Sequence, residues 1–179
     1  MNWAMLTIRG RGRLLTLTIV GAALLAPSPA MATDDEVRQV VTDSSARIVA
    51  QEKKVAKVAE RVAEAKKPSL KLVRSFRAAA RGEEAVIRDI RTDLLAATPD
   101  TEPVGRGRDL MAQGLQDVAT GLDRIDKALG RVVEGGSVKK ARSSIKKAQA
   151  RIVKGNERIE EGEPLVGAEL TPNTPAAES

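Results

Sequence analysis

The chain has 179 residues and a net charge of +6, and it contains no histidine, cysteine or tyrosine. Zinc, copper, haem and iron–sulfur sites therefore lack their usual ligands, and histidine acid–base catalysis, cysteine nucleophiles and disulfides are excluded. The composition predicts a protein with no metal and no cofactor, which is not an enzyme and is held together by packing alone.

The N-terminal region has the pattern of a secretory signal peptide. Three arginines within residues 9–13 precede an apolar run at 14–26, and residues 30–32 supply the small-x-small pattern of a cleavage site. The apolar run is shorter than the roughly 20 residues that a membrane-spanning helix needs. We expect removal of residues 1–32 and secretion to the periplasm, cell envelope or medium. No transmembrane segment is expected after cleavage, and the net charge falls to +3.

Beyond the cleavage site, apolar residues recur at alternating steps of three and four, which is typical of amphipathic helices with a heptad seam. Proline or glycine interrupts this pattern near residue 68, between residues 98 and 103, and at Gly135-Gly136. The sequence therefore predicts four helices, at about 35–67, 69–97, 107–134 and 137–161.

The connections between these helices are short, which makes neighbouring helices antiparallel. We predict an all-α fold over residues 33–162, either an antiparallel four-helix bundle or long coiled-coil-like helical hairpins. Glycines beside the third seam, such as Gly114 and Gly121, predict a close hairpin between the third and fourth helices. Residues 163–179 contain three prolines and no apolar period, which predicts a disordered tail.

Polar and charged residues interrupt the first two seams. Ser44, Gln51 and Glu83 fall at seam positions, where polar groups commonly fix register and helix number at a cost in stability. We favour that role over a polar site inside the bundle. The arginines within residues 74–91 of the second helix are expected to pair with acids on a neighbouring helix, such as Glu52, Glu60 and Glu64 of the first.

Three short motifs are weaker candidates for ligand binding. Residues 105–108, Gly-Arg-Gly-Arg, could cradle an anion before the third helix, although a flexible lead-in is the simpler interpretation. The acidic clusters at 34–36 and 160–163 could bind a hard cation weakly. The first cluster equally suits the N-terminal end of a helix dipole.

The fourth helix carries the one pattern with a functional direction. Between Ser137 and Asn156 it contains seven cations and no acid, so its field attracts anions. The candidate anionic-partner face consists of Lys139, Lys140, Arg142, Lys146, Lys147, Arg151 and Lys154. Three of these lysines are seven residues apart, at 140, 147 and 154, and we expect them to be exposed.

Aromatic residues are almost absent after position 32, where Phe76 is the only one. This disfavours nucleic acid, whose bases stack on aromatic rings, and insertion into a bilayer. The sequence favours a secreted non-enzymatic helical protein that acts through protein–protein contact or self-association, with acidic partners preferred. The alternative is a binder of anionic envelope polymers or of lipid headgroups on a membrane surface.

Overall fold

A computed structural model describes residues 32–65, 69–168 and 170. These residues form four helices and contain no strand: α1 (Ala32–Glu64), α2 (Leu70–Ala96), α3 (Glu102–Val133) and α4 (Val138–Val166). The predicted all-α fold is confirmed. The predicted signal peptide lies outside the described residues except for Ala32, and so do residues 171–179 of the predicted tail.

The helices pack in chain order as an antiparallel four-helix bundle. α3 lies between α2 and α4, α1 packs mainly on α2, and α1 touches α3 and α4 at only a few residues. Two apolar clusters form the core, and all four helices contribute to each. The first cluster includes Val41, Ile90, Leu115 and Ile159. The second includes Val55, Phe76, Leu129 and Ile145.

The contact between α3 and α4 is a contact between helix backbones. A Cβ placed on Gly114 would lie 2.5 Å from the carbonyl oxygen of Gly155, and one placed on Gly155 would lie 2.6 Å from that of Gly114. One heptad away, a Cβ on Gly121 would lie 3.0 Å from the carbonyl oxygen of Ala148. No larger side chain fits between helices this close, so the predicted close hairpin is confirmed.

α3 begins five residues before its predicted start at 107, which corrects the interpretation of residues 105–108. Pro103 lies in the first turn of α3, where a missing N–H costs no hydrogen bond. Residues 105–108 therefore belong to the helix and form neither a flexible lead-in nor an anion-binding loop. Gly107 is there for packing, since a Cβ on it would lie 2.8 Å from the carbonyl oxygen of Gly162.

The C-terminal end of α4 also departs from the prediction. The helix continues through Pro164 to Val166 and ends at Gly167, whose φ of 73° gives a left-handed cap. Val166 and Leu170 are fully buried and belong to the core. The predicted start of the tail at residue 163 is therefore too early, because residues 163–168 and 170 are part of the fold.

The connection between α2 and α3 is tied to the start of α1 by one carboxylate. Asp34 Oδ1 accepts hydrogen bonds from the backbone N–H groups of Asp100 (2.9 Å) and Thr101 (3.2 Å), and Oδ2 accepts one from Thr101 Oγ1 (2.7 Å). The Thr101 hydroxyl bond, with help from the two N–H groups, lowers the pKa of Asp34 despite its burial. Asp34 thus stabilises this end of the bundle.

Candidate functional site

Five of the seven predicted cations of α4 are exposed to solvent. They are Lys139, Lys140, Lys146, Lys147 and Lys154, and we call them the lysine face. None of their ammonium groups has a hydrogen-bond or ion-pair partner within the described residues. The expected exposure of the three lysines at heptad spacing agrees with their positions in the structure.

Arg142 and Arg151 do not belong with these free cations. Both are half-buried, and Arg142 takes part in an interaction within the chain. Arg151 Nε donates to Asp117 Oδ1 at 2.8 Å, and Arg158 donates to Asp117 Oδ2. Asp117 lies on α3, so its pairing with Arg151 was invisible in the acid-free sequence of α4. Arg151 therefore connects the two helices.

Asp117 is the shared carboxylate of an ion-pair cluster between α3 and α4 that the sequence pattern did not predict. Its side chain is only 10% exposed, and it accepts bonds from two guanidinium groups. Charge-assisted bonds of this kind are stronger than neutral ones and compensate for removing a carboxylate from water. The signal in the sequence that could have revealed these ion pairs is an acid on the face of α3 that packs against a basic helix.

A second buried carboxylate joins α2 to α3. Asp126 Oδ1 accepts from Arg77 Nε at 2.7 Å and lies 2.8 Å from Arg81 Nε. Burial alone would raise the pKa of Asp126, but the hydrogen bonds and charges of the two arginines outweigh it and lower that pKa. The expected pairing with an acid on a neighbouring helix is therefore confirmed for Arg77 and Arg81, but the partner lies on α3 and is not Glu52, Glu60 or Glu64 of α1.

The polar seam residues lie mainly between α1 and α2. Ser44 is buried, and Gln51 donates from Nε2 to the Ala79 carbonyl at 3.3 Å. Burial, with a contribution from the nearby Glu52 carboxylate, raises the pKa of Glu83 to about 7. These groups weaken the apolar contact of α1 with α2, while their role in fixing register stays a prediction.

The acidic clusters serve the fold in several places. Asp34 holds the α2–α3 connection, and Asp35 pairs with Arg38 at 2.6 Å. Glu163 is buried and accepts from the Leu170 N–H at 2.9 Å. In the part of the chain that the structure describes, no group of three or more acidic, histidine or cysteine side chains is arranged to hold a metal ion.

No protein-family model, curated protein or solved structure matches this chain. Among the described helices, none is both long and apolar enough to cross a membrane. The function therefore has to be inferred from the residues and their arrangement.

Proposed function

We propose that this chain is a non-enzymatic helical protein that binds an anionic partner through the lysine face of α4. The observation that carries the proposal is that these five ammonium groups are clustered, exposed and without a partner in the described residues. Exposed charges act over about 8 Å at physiological salt, so a cluster produces a local field that the small overall charge does not cancel.

The distribution of apolar surface supports an electrostatic mode of binding. In the described part of the chain, three large apolar side chains are exposed. Leu70 and Leu95 lie at opposite ends of α2, and Val153 lies on α4. Protein–protein interfaces usually need a contiguous, well-packed centre, which three scattered residues do not supply. The protein–protein contact or self-association favoured from the sequence stays a prediction.

If the predicted secretion holds, the partners that the lysine face meets are anionic polymers of the envelope or lipid headgroups. Phosphate and acidic-sugar polymers match the face because their charges repeat along a chain. Binding of this kind releases counterions from the polymer and weakens as salt is added. A sharp dependence on salt is therefore the property by which the proposal is tested.

The test is retention on a column of immobilised linear polyphosphate. Replacing Lys140, Lys147 and Lys154 with glutamine removes three charges from the lysine face, and we expect this variant to elute at a clearly lower salt concentration than the wild type. The matched control carries three exposed substitutions outside that face, on α1 and α2, and it loses the same net charge: Ala46→Glu, Thr92→Glu and Ala96→Glu.

The control should elute close to the wild type if the position of the charges matters. Equal elution of the control and the lysine variant would show that only net charge acts, which contradicts the proposal. A wild type that passes through the column at low salt would also contradict it. Capture of one protein partner that survives high salt would instead favour protein–protein contact.

A further inference from the structure

The charges of the whole bundle are divided between its two halves. The second core cluster belongs to the half formed by residues 52–65, 69–83 and 123–152, which we call the basic half. It contains 17 lysines and arginines against 7 acids, whereas the remaining described residues, the acidic half, contain 8 against 15. This polarity is hidden in the sequence, because antiparallel packing assembles each half from parts of all four helices.

The cations of the basic half extend well beyond α4. On α2, residues 69–82 contain four cations and no acid. α2 and α4 both pack on α3 and have no close backbone contact with each other, so α3 lies between these two basic helices. The exposed positions in the last part of α3 are Arg124, Lys127 and Arg131, which form one outward row at steps of three and four.

Most of these cations are free. Arg77 and Arg81 are held by Asp126, Arg151 by Asp117 and Lys127 by Asp123. Twelve of the 17 are exposed and have no side-chain partner in the described residues. They are Lys53, Lys54, Lys57, Arg61, Lys71, Arg74, Arg124, Arg131, Lys139, Lys140, Lys146 and Lys147.

The charged groups of the acidic half are mostly paired. Nine of its 15 acids already accept a hydrogen bond or form an ion pair within the chain. They are Asp34, Asp35, Asp43, Glu84, Asp89, Asp93, Asp109, Asp117 and Glu163. The carboxylates of a second copy are thus a poor source of anions for the basic half. An external polymer is a better one.

We propose that the basic half, together with Lys154 just beyond its end on α4, binds a flexible linear polyanion whose path crosses α2, α3 and α4, so that the lysine face is one part of the footprint. This inference rests on the proposed function and extends it to a partner of defined shape. Free cations lie on helices that flank α3 on two sides, so a flat membrane reaches only some of them, whereas a flexible chain can follow them all. Among the described residues, only three large apolar side chains are exposed, which also gives a bilayer little to bind.

The number of charges engaged can be measured directly. For a single-stranded polyanion, the logarithm of the binding constant falls with the logarithm of salt concentration, with a slope of about −0.7 per phosphate neutralised. The five cations of the lysine face alone correspond to a slope of about −3 to −4. Engagement of the four free cations of α2 and α3 as well corresponds to about −6.

The experiment titrates the full chain with long-chain polyphosphate at several salt concentrations. In addition to the wild type, it uses a variant with Lys71→Gln, Arg74→Gln and Arg131→Gln, which removes three exposed cations from α2 and α3. We expect this variant to bind at least 10-fold more weakly at low salt, with a slope shallower by about 2. The Ala46→Glu, Thr92→Glu, Ala96→Glu control should keep the wild-type slope.

The outcomes separate this inference from the proposed function. If only the lysine-face variant weakens binding, or if the wild-type slope is about −3 to −4, the proposed function stands and the wider footprint is wrong. If the wild type does not bind polyphosphate, both are wrong.

Two further outcomes would identify a different partner. Tighter binding to vesicles with 30% phosphatidylglycerol than to polyphosphate, at equal phosphate concentration, would overturn the polymer in favour of a membrane. Salt-sensitive dimers in sedimentation would overturn it in favour of a second copy. The wild-type slope needs no variant, so the test holds even if a substitution impairs folding.

Discussion

The α3–α4 hairpin and the α1–α2 hairpin are built from helices of similar length, yet they pack differently. In α3–α4, Gly114 and Gly155 bring the two backbones into contact. In α1–α2, side chains separate the backbones, and Gln51 and Glu83 place polar groups in the seam. The comparison teaches that small residues on the inner side of α4 hold the helix in place, so the lysines on its outer side are not needed for stability.

The largest expected effect comes from filling the backbone contact of α3–α4. Gly114→Leu should lower the free energy of unfolding by about 3 kcal/mol, because its Cβ would meet a backbone carbonyl that moves only if the helices separate. Chemical denaturation followed by circular dichroism measures the change. The control is Gly82→Ala in α2, whose Cβ meets only the flexible end of Gln51, 2.7 Å away.

That control should change the free energy of unfolding by less than about 1 kcal/mol, since better helix propensity offsets the displacement of Gln51. If both glycine variants were equally destabilised, the two hairpins would not differ in the way described.

The next effect concerns Asp117, the buried acid of the tight hairpin. Asp117→Ala should cost about 1–3 kcal/mol of stability, because Arg151 and Arg158 lose their shared carboxylate. It should also increase retention on polyphosphate, since two cations become free. Asp123→Ala, which removes an exposed pair with Lys127, should cost about 0.5 kcal/mol or less. Loss of stability without a gain in retention would show that the freed arginines stay hidden from the polymer.

A smaller and pH-dependent effect is expected in the polar seam of α1–α2. The pKa of Glu83 is raised to about 7 in the folded protein, so folding favours its protonated form, and its ionisation destabilises the fold as pH rises from about 4.5 to 7. Glu83→Gln removes this penalty. The variant should be more stable than the wild type by about 1 kcal/mol at pH 8, allowing for partial exposure, and nearly equal at pH 4.5.

Unfolding free energies of both proteins across this pH range provide the measurement. A constant difference between them at all pH values would mean that the pKa of Glu83 is the same in the folded and unfolded states, and that burial does not govern its protonation.

The heptad pattern was sufficient to predict the helices and much of the core. Val37, Val41, Ile48, Val55 and Val62 of the first seam are all buried. The early start of α3 was missed because glycine and proline usually interrupt helices. In α3, Gly107 allows close packing against α4, and Pro103 lies in the first turn of the helix. The close packing depends on a neighbouring helix that the sequence does not show.

The buried ion pairs were missed for a related reason. α3 lies between two helices and buries a wider arc than a single heptad seam indicates, so Asp117 and Asp126 appear exposed in the sequence pattern although both are buried. The lysine face was predictable, since a run of lysines without acids is visible in one segment. Arg151 was included in the candidate anionic-partner face because its own partner, Asp117, lies on another helix.

Thermal unfolding with and without long-chain polyphosphate tests the central claim most directly, that the lysine face binds but does not stabilise. Without polyphosphate, Lys140→Glu, Lys147→Glu, Lys154→Glu should unfold within a few degrees of the wild type, because exposed charges contribute little to stability. With polyphosphate at 100 times the wild-type Kd, the wild type should gain about 2.7 kcal/mol and a higher Tm, while the variant's Tm should rise much less. A variant that unfolds without polyphosphate, or a wild type whose Tm does not move with it, would contradict the claim.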